Sequence, residues 1–105
     1  EKEMEIILAK NKNYNNAKGK EKVANMIKVA SLTRKGFVAG DISTVMSPRT
    51  VLYWAENSEI FKNIGYAFRI TFLNKCDDAE KSIIAEYYQR CFGEDLPESM
   101  INVQM

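Results

Sequence analysis

Apolar residues recur three and four positions apart over most of this chain, the spacing that places them on one face of an α-helix. Four segments have this pattern: residues 3–10, 21–39, 48–61 and 77–92. Gly40 and Gly93 follow two of these segments, and glycine is the commonest residue in the left-handed conformation that ends a helix. The pattern therefore predicts four helices, of which the first is short.

Two of these helices contain strong candidates for the core and for a helix cap. Trp54 is predicted to be a core anchor, because large aromatic side chains dominate the energetics of small cores. Asp77 and Glu80 have the spacing of a capping box, in which side chains satisfy the free N–H groups of the first turn. The apolar face predicted for the long helix 21–39 consists of Val23, Met26, Ile27, Ala30, Phe37 and Val38.

Residues 66–73 are ambiguous between a strand and a helix. Large apolar residues alternate there with smaller or polar ones, and a period of two favours a strand. No other segment alternates convincingly, so a strand would have no partner for its backbone N–H and C=O groups. We therefore predict a buried helix and an all-α fold, a small bundle of about four helices with a short N-terminal connector helix. The alternating residues are Tyr66, Phe68, Ile70 and Phe72.

The composition is that of a small globular domain without a strong overall charge. The chain has 105 residues, 46% hydrophobic and 28% charged, with a formal net charge of +1. No signal peptide and no apolar run of membrane-spanning length is present, and two widely separated cysteines favour reduced thiols. We therefore expect a cytoplasmic protein. Because the first residue is Glu and not Met, we also expect it to be part of a longer chain.

The residue types that most catalytic sites require are scarce. The chain has no His, the most frequent general acid or base and a common metal ligand. No nucleophile with a base, carboxylate pair or metal cluster can be assembled, so we expect no catalytic residue and no metal site. The phosphate-binding motif G-x-x-x-x-G-K-[ST] is also missing, so the chain is not expected to hold a nucleoside triphosphate by itself.

Residues 11–22 are rich in Asn and Lys and contain one Gly. This composition predicts an exposed connector. The alternative is a patch that binds a polyanion, in which Tyr14 stacks on a base while the lysines contact phosphates. Nearby acidic residues weaken the positive field of such a patch. The alternative function is therefore a free-standing helical adaptor that binds a protein or nucleic acid through residues 10–22.

Ser47, Pro48 and Arg49 predict a helix start with an unusual charge. Serine is a favoured N-cap, and proline suits the first helical position because its missing N–H would be unpaired there. Arg49 then lies where a cation opposes the positive end of the helix dipole. An arginine beside free backbone N–H groups is a suitable arrangement for a phosphate. On local evidence alone, a solvated arginine without a function is the alternative.

Five stretches of the chain together carry a resemblance to a known family: residues 23–30, 40–51, 54–57, 68–77 and 85–90. With them, the chain resembles the C-terminal part of the CobS family, the AAA+ ATPase subunits of aerobic, cobalt-inserting cobaltochelatase. The resemblance covers roughly residues 5–97, whereas Ser-Pro-Arg alone would also suit the wider MoxR-like branch of AAA+ proteins.

The resemblance implies that this is the helical lid that follows the nucleotide-binding core of such an ATPase. Arg49 would be sensor 2, which reaches the terminal phosphates of the nucleotide, and Ser47 and Pro48 would fix the helix start that presents it. The P-loop, the Mg-binding acidic motif, sensor 1 and the arginine finger have no counterpart here. The implied division is a connector from the core over 1–13, the lid over 14–97 and a flexible tail over 98–105.

The resemblance also implies partners and cofactors for the full-length protein. ATP and Mg²⁺ would be bound mainly by the core, none by this chain alone, and the subunit would form a ring with further CobS copies. Together with CobT, this ring would act on CobN, which inserts Co²⁺ into hydrogenobyrinate a,c-diamide during cobalamin biosynthesis. The whole assembly would be a ligase that forms nitrogen–metal bonds, with no nucleic acid or membrane partner. The alternative within AAA+ proteins is the lid of a MoxR-type chaperone.

Overall fold

The computed structural model describes residues 2–93 and shows an all-helical fold there, which confirms the predicted fold class. Short 3-10 helices at Lys12–Tyr14, Leu73–Lys75 and Asp78–Glu80 connect the longer elements. The predicted tail at 98–105 lies outside the described residues. The α-helices are α1 (Lys2–Lys10), α2 (Ala17–Ala39), α3 (Pro48–Phe61), α4 (Ile64–Thr71) and α5 (Lys81–Phe92).

Trp54 lies at the centre of the core, as predicted. Its side chain is fully buried, and its ring centroid lies 4.7 Å from that of Phe68 and 5.9 Å from that of Phe92. The indole N–H donates a hydrogen bond of 3.0 Å to the Ile64 carbonyl, so the polar atom of the side chain is satisfied. Trp54 therefore connects α3 to both α4 and α5 through one side chain.

The ambiguous segment is helical, as predicted. Residues 66–71 lie in α4, Phe72 is the C-cap, and Leu73 begins a 3-10 helix. Asn63 caps α4 by accepting a hydrogen bond from the Tyr66 N–H at 2.9 Å. The alternating residues separate into two pairs at i, i+4 spacing, which lie on the same face of a helix. Phe68 and Phe72 are buried in the core, while Tyr66 and Ile70 are half-buried. A period of two is therefore compatible with a helix, because in an alternating series each large residue is also four positions away from the next but one.

The predicted connector over residues 11–22 is wrong in its second half, because α2 begins at Ala17. The Asn16 side chain accepts a hydrogen bond from the Gly19 N–H at 2.8 Å and caps the helix. Tyr14 is 5% exposed and packs in the core, with its hydroxyl 3.4 Å from the Ala55 carbonyl. Burial is the main reason why the pKa of Tyr14 is raised, with the Glu59 charge adding to it.

The C-terminal part of the apolar face predicted for α2 is also wrong. Phe37 and Val38 are 48% and 85% exposed, whereas Thr33 and Gly36 occupy the buried positions. The buried face continues past Ala30 at the regular spacing, but its last members are a hydroxyl and a glycine, which a hydrophobic pattern does not detect. Gly40 ends the helix in the left-handed conformation with φ of 86°, as predicted.

Substituting Gly19 by Ala should destabilise the fold, although alanine makes an isolated helix about 0.8–1 kcal/mol more stable than glycine does. A Cβ atom at Gly19 would overlap the backbone of Tyr14, which cannot move without disturbing the start of α2. We expect the free energy of unfolding in urea to fall by roughly 1–3 kcal/mol, the usual cost of overpacking.

Gly36→Ala is the matched control for Gly19→Ala. Its Cβ would meet the hydroxyl at the end of the Tyr87 side chain, which can rotate away. The free energy of unfolding should therefore change by less than about 1 kcal/mol, since propensity and overlap oppose each other. A Gly19→Ala protein as stable as the parent would contradict the packing of Tyr14 on α2.

Candidate functional site

The start of α3 has the capping geometry that the sequence predicts. Ser47 is the N-cap, with extended backbone angles, and its hydroxyl accepts a hydrogen bond from the Thr50 N–H at 3.2 Å. The hydroxyls of Ser47 and Thr50 are also 3.0 Å apart. Pro48 occupies the first turn, where its missing N–H costs nothing.

Arg49 lies in the first turn of α3, and its side chain is exposed. The first turn contains no acidic residue that would compensate the positive end of the helix dipole. Within residues 2–93, no hydrogen bond or ion pair involves the Arg49 guanidinium. The guanidinium and the helix N-terminus therefore present uncompensated positive charge to solvent.

The loop of residues 40–47 that leads into α3 is held by two buried side chains. Ile42 is 3% exposed and Met46 is fully buried, although the residues between and around them are mostly exposed. An exposed connection anchored at both ends by apolar burial has little freedom to move relative to the core. The helix start that carries Arg49 is therefore fixed relative to the rest of the molecule.

Glu80 makes a contact with this loop that sequence reasoning missed. Its carboxylate Oε1 accepts hydrogen bonds from the Ser43 N–H at 2.8 Å and from the Ser43 hydroxyl at 3.1 Å. The predicted capping box of Asp77 and Glu80 is therefore wrong, since Glu80 bonds a residue 37 positions earlier instead of the cap. Asp77 still caps a turn, but by accepting from the Ala79 N–H at 3.0 Å.

The Asn/Lys-rich segment does not form the stacking platform that the alternative interpretation requires. Tyr14, the only aromatic side chain in that segment, is buried. The lysines at positions 12, 18, 20 and 22 are exposed. A shallow cleft lined by Lys12 and Lys20 also contains Glu5, which reduces its positive field. The segment therefore keeps its charges but has lost the ring that would have contacted a base.

The described residues contain little reactive chemistry. Among residues 2–93 there is no group of three or more His, Cys, Asp or Glu side chains that could hold a metal ion, and no helix there is long and apolar enough to cross a membrane. Burial is the main reason why the pKa of each thiol, Cys76 and Cys91, is raised. A raised pKa keeps a thiol protonated and poorly nucleophilic at neutral pH.

Comparison with curated proteins gives a long match to a cobaltochelatase subunit. The chain is 54% identical over 103 residues to the aerobic cobaltochelatase subunit CobS of Sinorhizobium sp., a match that covers 98% of this chain. The chain spans 31% of the length of that relative and corresponds to its C-terminal part. This confirms the resemblance predicted from the sequence. No family model matches the chain, and no solved structure matches it either.

Proposed function

We propose that this chain is the helical lid of an AAA+ ATPase subunit of a cobaltochelatase. The premise is its similarity to CobS over 98% of the chain's own length. In this proposal residues 1–13 lead from the nucleotide-binding core and residues 14–97 form the lid. The observation that carries it is Arg49, exposed and without a partner in the described residues, at a capped helix start within the region shared with CobS.

Arg49 would act as sensor 2 by binding the terminal phosphates of ATP held on the core. Ser47 and Pro48 would fix the helix start, so that the guanidinium and the positive end of the α3 dipole face the same anion. A hydrogen bond to a charged group contributes about 1.5–3 kcal/mol, so the contact would distinguish nucleotides by their phosphates. Losing the terminal phosphate would release the lid, which is how phosphate-dependent switches generally work.

The nucleotide-binding core and the other subunits of the chelatase would lie outside this chain. The core would bind ATP and Mg²⁺, and CobS copies would assemble into a ring. The cycle of this ring, with CobT, would drive CobN to insert Co²⁺ into hydrogenobyrinate a,c-diamide in cobalamin biosynthesis. The relative's name supports involvement in the aerobic cobaltochelatase reaction. The lid itself would transmit the state of the nucleotide and would not handle cobalt.

The coding sequence upstream of Glu1 tests this proposal directly. We expect it to encode, in the same reading frame, an AAA+ core with the motif G-x-x-x-x-G-K-[ST]. A reading frame without that core would overturn the assignment as a lid. Neighbouring genes for the other chelatase subunits would support the chelatase, whereas genes for an unrelated metalloprotein would favour the MoxR-type chaperone.

The chain by itself should not hydrolyse ATP. The expected result is phosphate release indistinguishable from a buffer control when the purified chain is incubated with ATP and Mg²⁺, because the P-loop motif is absent from it. The measurement is a colorimetric phosphate assay at micromolar protein. Turnover that persists after a second purification step would show that a complete active site exists in these residues.

A further inference from the structure

Two adjacent residues of α2 form hydrogen bonds to the backbone that precedes α3. The Met46 N–H donates a hydrogen bond to the Thr33 hydroxyl oxygen at 3.1 Å. The Met46 carbonyl accepts a hydrogen bond from the Arg34 Nε at 3.0 Å. Both backbone polar groups of Met46 are therefore bound by the same turn of α2.

The Thr33 side chain is fully buried, so its hydroxyl is shielded from water. Its hydroxyl donates its single proton to the Ala30 carbonyl at 2.7 Å, so only its lone pairs face Met46. The Met46 side chain is also fully buried. Displacing this residue would disturb two hydrogen bonds and a packed side chain together.

We infer that Thr33 and Arg34 are positioning residues for the phosphate contact of Arg49, an inference that rests on the proposed function. Met46 directly precedes the N-cap Ser47, and Arg49 follows in the first turn of the same helix. Fixing Met46 therefore fixes where α3 begins and in which direction Arg49 leaves it. A displacement of about 1 Å in a group that contacts the reacting phosphates can reduce turnover about 100-fold.

Thr33→Val and Thr33→Ser in the full-length ATPase test this inference. Valine keeps the shape of threonine but removes the hydroxyl, whereas serine retains it. We expect Thr33→Val to lower kcat for ATP by about tenfold and Thr33→Ser to stay within about twofold of the parent. Arg34→Gln should lower kcat in the same direction, since it removes the second contact to Met46.

A double mutant separates positioning from general destabilisation. If Thr33 acts through Arg49, then Thr33→Val should cause no further loss of turnover in an Arg49→Ala background. The effects of substituting two coupled residues are not additive. Independent, multiplying losses would overturn the inference.

Thr71→Val is the matched control for Thr33→Val. Thr71 is also buried, and its hydroxyl accepts a hydrogen bond from the Asn57 side chain at 2.8 Å, but it does not contact Met46. It should leave kcat within about twofold of the parent at temperatures where the protein stays folded. Equal losses in both valine variants would overturn the inference and leave the role of Arg49 standing. If Arg49→Ala itself leaves kcat unchanged, both the proposed function and this inference are overturned.

Discussion

Arg49→Ala in the full-length protein should lower ATP turnover by about 10- to 100-fold, the equivalent of losing one hydrogen bond to a charged group. The same substitution should hardly change the stability of the fold. Arg49 is exposed and makes no hydrogen bond or ion pair within residues 2–93, so removing its side chain breaks no contact described there. Steady-state ATP hydrolysis and cobalt insertion are the two measurements, with urea unfolding as the check on stability.

Two further variants make the Arg49 result specific. Arg49→Lys keeps the charge but loses the planar fork that binds phosphate oxygens in pairs, so we expect it to restore only part of the activity. Arg90→Ala removes another exposed arginine, whose Nη2 forms an ion pair with the Glu86 carboxylate at 3.0 Å. Its activity should equal that of the parent. Full activity of the Arg49→Ala protein would contradict the sensor 2 role.

Trp54→Ala should lower the free energy of unfolding by about 3–5 kcal/mol, the usual cost of removing a large buried aromatic side chain. The side chain is fully buried against Phe68, Tyr88 and Phe92. Its removal would leave a cavity between α3, α4 and α5 and would remove the hydrogen bond between the indole N–H and the Ile64 carbonyl. Because the free energy of unfolding of a small domain is only about 5–15 kcal/mol, this substitution would remove a large part of it. Urea unfolding monitored by circular dichroism measures this.

Tyr53→Ala is the control next to Trp54 on the same helix. The Tyr53 side chain is 49% exposed, so its removal should change the free energy of unfolding by less than about 1 kcal/mol. Comparable losses in the two variants would show that α3 does not pack through Trp54.

The local features of this fold were predictable because their signals lie within one or two turns of helix. The N-cap Ser47 and the left-handed Gly40 are of this kind, since each satisfies backbone groups of its own helix. The helical state of residues 66–73 followed from the lack of a partner strand. The start of α2 was missed because its capping residue, Asn16, lies within a run of Asn and Lys that resembles a loop.

Much of the candidate site was also predictable, but the contacts that support it were not. The position of Arg49 at a helix start follows from three consecutive residues. The bond between Glu80 and Ser43 joins positions 37 apart, and no local pattern indicates it. In the sequence, Glu80 has the spacing of a cap, and only the approach of the loop to α5 gives it a different partner.

The sequence by itself determined most of the helical segments, that Trp54 is central and that Arg49 lies in the first turn of α3. Helix capping and hydrophobic periodicity are local effects, so they can be recognised in consecutive residues. The tertiary structure alone decided that Tyr14 is buried and that Thr33, Arg34 and Glu80 hold the loop before α3. These roles depend on which buried or polar groups meet after the helices pack, because a hydrogen-bonding side chain takes the partner that the fold brings within reach.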